Sequence, residues 1–188
     1  MRQPRAVRVD ALDDATLVAR AREGDVAAFE QLVLRHQHTM YALAVRMLAD
    51  RGKAEDAVQD VFLAAWRRLP EIRIDAAFAT WLYRSTTNRC LNLLRRSGST
   101  VPLTDPDTCA APTTGQPERV AETHAELAQL GQALRRLTSE QRACWLLREV
   151  HGLPYAEIAG ILHTTTTAVR GRIARARAQL AEEMQPWR

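Results

Sequence analysis

The chain has 188 residues, of which 46% are hydrophobic, 26% charged and only 5% aromatic, and its formal net charge is +4. That length holds one or two small domains with apolar cores. Val, Ile and Thr rarely alternate with polar residues over a strand-length run, which excludes a substantial sheet, and the basic balance permits a polyanionic partner without requiring one. Cys90, Cys109 and Cys144 are odd in number, far apart and in no C-x-x-C pair, so neither a disulfide framework nor a zinc site is expected. The first residues hold no apolar run of signal-peptide length, and no later segment approaches a membrane span. The expectation is a soluble chain of a reducing, intracellular compartment.

In chain order, residues 1–12 are expected to be loose. A short helix around Ala15 to Glu23 ends at Gly24, and Asp25 caps the next helix, which buries Phe29, Val33, Met40, Leu43 and Met47 at 3.6-residue spacing. His36 and His38 lie two apart and point away from one another, so they offer no shared metal site. The helix from Lys53 to Leu69 has two faces. Ala54, Ala57, Val58, Val61, Phe62 and Ala65 turn inward, while Glu55, Asp56, Gln59, Asp60 and Leu63 line the other side with Trp66 at the border. An acidic face carrying apolar residues suits a protein partner, and it is equally what a solvated acidic face looks like. As an active site it lacks the enclosing pocket that perturbs paired carboxylates.

Pro70 ends that helix, and a loop from Glu71 to Ala77 leads into a helix reaching Arg96. Ala79, Leu82, Tyr83, Thr86, Cys90, Leu93 and Leu94 follow its inner stripe. Trp81, Ser85, Asn88, Asn92 and Arg95 follow the other, and that mixture of ring, hydroxyl, amides and cation suits single-stranded nucleic acid. Residues 97–117, rich in Ser, Thr, Pro and Gly, form a linker. Helical patterning resumes with Val120, Leu127, Leu130, Leu134 and Leu137. Thr138 and Gln141 fit a capping box for a helix burying Ala143, Leu146, Leu147 and Val150, which Gly152 closes.

Tyr155 to Leu180 carries two helical patterns separated by a break: Ile158, Ala159 and Leu162 in the first, and Val169, Ile173, Ala176 and Leu180 in the second. Opposite the second stripe lie Thr167, Gly171 and Ala174, flanked by Arg170, Arg172 and Arg175. A short helix, a tight turn and a longer basic helix is the pattern of a helix-turn-helix, in which small residues admit the groove and arginines reach phosphates or guanine. The expected architecture is all-α: residues 13–96 and 118–188 as two small helical domains joined by the flexible linker.

With these stretches in view, the chain resembles the extracytoplasmic-function group of sigma-70-type initiation factors. The resemblance rests on residues 54–69 (AEDAVQDVFLAAWRRL), 78–96 (FATWLYRSTTNRCLNLLRR) and 137–162 (LTSEQRACWLLREVHGLPYAEIAGIL), followed by AVRGRIARARAQL. It implies sigma region 2 in the first domain and region 4 in the second. By that likeness Asp56, Gln59, Asp60, Leu63 and Trp66 meet the clamp helices of the beta-prime subunit of RNA polymerase core. The loop from Glu71 to Ala77 and the residues Trp81, Ser85, Asn88, Asn92, Arg95 and Arg96 hold the melted minus-10 element. The second domain meets the beta flap and sets Thr167, Arg170, Gly171, Arg172 and Arg175 against double-stranded minus-35 DNA. The resemblance also implies a role in promoter recognition and initiation, no catalytic centre, cofactor, metal or small-molecule substrate, and a cytoplasmic protein that an anti-sigma factor holds inactive, often at the inner membrane face.

Four positions depart from the family pattern. His163 and Thr164 stand in the turn where Gly and an apolar residue are usual, Asn92 where Asp is common, and Ala168 where Thr is common. Two other readings stay open on the residues alone. A helix-turn-helix regulator that never enters polymerase leaves the two-faced helices from Lys53 to Arg96 unexplained. A helical metal-dependent hydrolase using Glu55, Asp56 and Asp60 lacks a matching His or Glu on a second helix.

Overall fold

The computed structural model describes residues 12–71, 78–96 and 129–183, and among these residues every regular element is helical. Leu12 is packed against the core, whereas residues 1–11 of the expected loose N-terminus, the linker from 97 to 117, and the stripe positions Val120 and Leu127 lie outside the described residues. So does most of the loop from Glu71 to Ala77.

Helix α1 (Asp14–Arg22) starts at Asp13, whose carboxylate accepts the Thr16 N–H at 2.8 Å. Gly24, at φ +94°, makes the turn after it. Helix α2 (Val26–Leu48) is capped by Asp25 and α3 (Arg51–Arg68) by Asp50, each accepting a backbone N–H of the first turn, from Ala28 and Lys53 respectively. Those N–H groups hold both cap carboxyls below the ordinary value of 3.8. A 3₁₀ turn at Leu69–Glu71 ends α3, and α4 runs from Phe78 to Arg96.

These four helices close on one core built from Leu17, Leu32, Leu43, Met47, Phe78 and Leu82, all fully buried. The expected stripe of α2 needs one correction. Leu32 and Ala28 are the buried residues, whereas Phe29 and Val33 are only partly buried. The helix is rolled so that those two flank α3, where the Phe29 ring sits 4.9 Å from that of Trp66. Ala79, Tyr83, Leu93 and Leu94 of α4 are likewise half-buried, and Leu91 takes a core place instead.

In the second half, α5 is described over residues 129–136, followed by α6 (Ser139–Trp145). The capping box is present in both directions: the Thr138 hydroxyl accepts the Gln141 N–H at 3.2 Å, and the Gln141 side chain accepts the Thr138 N–H at 3.0 Å. The helix continues as a π turn, Leu146–Val150. That wider turn rotates less per residue, so its last residue lags the α-helical phase, and Val150, expected inside, is 45% exposed. Gly152, at φ +70°, then reverses the chain as expected. Helices α7 (Tyr155–Ile161) and α8 (Thr166–Glu183) complete the fold, with Val169, Ile173, Ala176 and Leu180 buried as the spacing requires.

The two halves touch. Helix α4 packs on α6 and α7, and α2 on α6. The deepest link is Arg142 of α6, only 4% exposed, whose guanidinium donates to the carbonyls of Leu134 (2.7 Å), Arg135 (2.9 Å) and Met47 (2.5 Å). The first two carbonyls belong to the C-terminal end of α5 and the third to that of α2, so one cation answers acceptors that helix ends leave open.

Candidate functional site

The outward face of α3 carries Asp56, Gln59, Asp60 and Leu63 together, all exposed, as the spacing of the sequence dictates. Leu63 is 49% exposed and Trp66 38%. Beside them α2 and α3 enclose an open groove of about 680 Å³, apolar on Phe29, Val33, Phe62, Leu63 and Trp66 and polar where His38, Glu55 and Gln59 reach its edge. The partner of Asp60 is Arg89 of α4, at 2.5 Å. That cation was absent from the sequence reading. Its place beside α3 depends on how α4 crosses α3, which no local spacing encodes.

On α4, the residues from Trp81 to Arg96 singled out in the sequence do share a side, but its two ends differ. Trp81, Ser85 and Asn88 are half-buried, with Trp81 packed against the core, whereas Asn92, Arg95 and Arg96 are exposed. Arg95 donates to the Asn92 side chain at 3.2 Å. The neighbouring side of α4 faces the other half: Thr80 donates to Glu157 at 2.6 Å, and Arg84 to the Gly160 carbonyl at 3.1 Å.

Helices α7 and α8 pack together through Ile158, Ile161, Val169 and Ile173, with Thr165 capping α8 by accepting the Ala168 N–H at 3.1 Å. Thr167, Arg170 and Arg175 are exposed on one side of α8, with Gly171 half-buried among them. A Cβ placed on Gly171 would meet only the Arg175 guanidinium, at 3.5 Å, so this side is open to a broad surface. Arg172 differs from its neighbours: it is half-buried and turned toward the Cys144 thiol of α6, whose pKa burial raises. Two groups here escaped the sequence reading. The Tyr155 ring holds the Arg148 guanidinium 4.6 Å and that of Arg170 5.4 Å from its centre. Arg148 lies in the π turn and Tyr155 opens α7 beyond Gly152, so simple helical spacing does not pair them.

The turn between α7 and α8 places His163 at φ +50°, the left-handed region. A non-glycine residue pays about 1 kcal/mol for that conformation. His163→Gly is therefore expected to raise the melting temperature by roughly 1–3 °C, as read by circular dichroism. A lowered melting temperature would mean that the imidazole makes a stabilising contact.

Fold and surfaces define an all-helical protein whose C-terminal part is a helix-turn-helix with a basic outer side. The sigma-70 region 2 profile matches residues 32–100 and the sigma-70 region 4 profile residues 127–180. The RNA polymerase sigma-H factor of Pseudomonas aeruginosa is 35% identical over 184 residues, covering 92% of this chain and 94% of that one. The ECF RNA polymerase sigma-E factor of Escherichia coli is 36% identical, covering 93% and 96%. Among solved structures, CnrH in complex with the cytosolic domain of CnrY matches with a TM-score of 0.70 at 30% identity, covering 93% of this chain and 99% of that one. The sigma factor RpoE of Bartonella quintana, in complex with the anti-sigma factor NepR, shares the fold with a TM-score of 0.69 at 24% identity, covering 87% and 100%. The chain belongs to the sigma-70 family, in its extracytoplasmic-function group. It is a transcription initiation factor with DNA-binding domains.

Proposed function

We propose that residues 13–96 and 118–188 act as sigma regions 2 and 4 across the linker at 97–117, and that each carries one part of the work on RNA polymerase core and promoter DNA. The observation that supports this best is the joint exposure of Asp56, Gln59, Asp60, Leu63 and Trp66 beside an apolar groove. Apolar anchors ringed by carboxylates fit a helical, basic partner such as the beta-prime clamp helices. The side of α4 bearing Trp81, Ser85, Asn88, Asn92, Arg95 and Arg96 takes the melted minus-10 strand. Its exposed cations meet the backbone, and its half-buried ring end meets unstacked bases. The beta flap meets region 4, and the Thr167, Arg170, Gly171 and Arg175 side of α8 enters the minus-35 major groove. Phosphate contacts position the helix there and a few base contacts specify. Arg172, turned toward Cys144, braces the helix in the free chain and swings outward only on DNA.

The protein works as a specificity subunit without catalysis, cofactor or small-molecule substrate, in the cytoplasm. An anti-sigma partner is part of the reading. CnrH, at 30% identity, was solved in complex with the cytosolic domain of CnrY, and an inhibitor that presents such a domain fits retention at the inner membrane face. The test is co-elution with bacterial core polymerase followed by run-off transcription of genomic fragments. Stable co-elution weakened by Asp60→Arg, with discrete start sites, is the expected result. Binding to duplex DNA with no affinity for core would overturn it in favour of a free helix-turn-helix regulator.

A further inference from the structure

Helix α4 meets the second half at three points along its side. At the two outer points, Thr80 donates to Glu157 and Arg84 to the Gly160 carbonyl. Between them, the Tyr83 hydroxyl lies 3.2 Å from Nδ1 of His151, the last turn residue before Gly152, and the two rings meet edge-on with centres 5.2 Å apart. The other imidazole nitrogen, Nε2, is fully buried and has no hydrogen-bond partner. A neutral ring satisfies Tyr83 through Nδ1 and leaves Nε2 with one orphaned polar atom. A protonated ring would put a full positive charge there with no acceptor for its second N–H.

The charges around this contact add to the cost. From α2, Arg46 opposes a second cation; from the π turn, the ring's own segment contributes Arg148 and Glu149, the latter already paired with Arg177 of α8 at 2.7 Å. From α4 come Tyr83 and Arg84, and from α7 comes Glu157, which is held by Thr80. No carboxylate is in contact with the imidazole among the described residues. Burial, and after it Arg46, holds the His151 pKa below the ordinary 6.5.

We propose that the His151–Tyr83 contact is an acid-released latch between the two halves of this protein: the halves are held together while His151 is neutral and part when it gains a proton. The sign follows from linkage. A histidine whose pKa is lower in the closed form than when free contributes fully above about pH 6.5, and its contribution is lost progressively as pH falls below that value. The cap carboxylates Asp25 and Asp50, held below 3.8, titrate beneath this window.

The consequence for transcription rests on the proposed function. Arg84 grips Gly160, and the chain from Gly160 to Arg170 spans at most about 36 Å. Promoter elements about 25 base pairs apart are separated by roughly 85 Å of duplex. The closed form therefore cannot place α4 on one element and α8 on the other, and releasing the latch is a step toward promoter engagement.

The experiment needs neither polymerase nor DNA, so it stands apart from the test of the proposed function. Spin labels on one exposed residue of α3 and one of α8 report the distance between halves in the full chain, at pH 8.0 and 5.5. In the wild type, the expected result is a dominant short-distance population at pH 8.0 and a shift toward longer distances at pH 5.5, a fall in the short-to-long ratio of up to about tenfold. His151→Gln, neutral at both values, should keep the short population at both. An unchanged wild-type distribution, or the same opening in His151→Gln, would overturn the latch. Should His151→Gln not fold, the wild-type ring is followed by NMR. A His151 titration coincident with the change in distance supports the latch, and a titration with no change in distance overturns it.

Discussion

Arg142→Met is expected to lower the stability of the protein by about 3 kcal/mol, a fall in melting temperature of roughly 6–12 °C. Methionine fills much of the same space but donates nothing, so the carbonyls of Leu134, Arg135 and Met47 lose their partner inside the protein. Each buried acceptor left open costs on the order of 1–3 kcal/mol, and the helix ends holding these three cannot all turn to water without separating α5 from α6 and α2 from α6. Burial, with Arg135 adding to it, pushes the Arg142 guanidinium down to about 10, so it remains charged at neutral pH. Thermal melts of Arg142→Met and Arg142→Lys against wild type check the point. Lysine, with a compact three-donor head, should recover part of the loss; equal melting of all three would refute the hub.

Leu63→Asp is expected to weaken binding to core polymerase about 100-fold, close to 2.7 kcal/mol, with little change in melting temperature. The two effects separate because Leu63 is half in solvent already, on the rim of the groove rather than beneath it. A carboxylate placed there costs the free chain almost nothing. In the complex it would be desolvated among Phe62, Trp66 and whatever apolar residue the partner inserts. Trp66→Ala is a less clean probe, because it also removes the ring contact with Phe29 and so loosens α2 on α3. The affinity of labelled Leu63→Asp for core, beside its melting curve, gives the answer. Unaltered affinity would place the polymerase contact on another surface.

Much of this molecule was legible residue by residue. The caps at Asp25 and Thr138, the reversals at Gly24 and Gly152, the helix-turn-helix with its left-handed His163, and the exposed acidic row of α3 all follow from interactions spanning a few residues. Where the sequence reading slipped, a rotation or a distant partner was responsible. Phe29 and Val33 sit on the flank of α2 because hydrophobic spacing locates a stripe only to within about one residue's rotation. Val150 faces outward because a π turn adds a residue that periodicity does not anticipate.

The sequence by itself determined the class of fold and the faces that the candidate residues share, because capping, turn chemistry and 3.6-residue periodicity act between near neighbours, and the likeness of its three motif blocks pointed to the family. Only the tertiary structure decided which charges answer one another and how the halves meet. Asp60 finds Arg89, Arg142 finds Met47, and His151 finds Tyr83 across 29, 95 and 68 positions of chain. Hydrogen bonds and ion pairs are short-ranged, so such partners are set by the crossing of packed helices and not by any pattern along one of them.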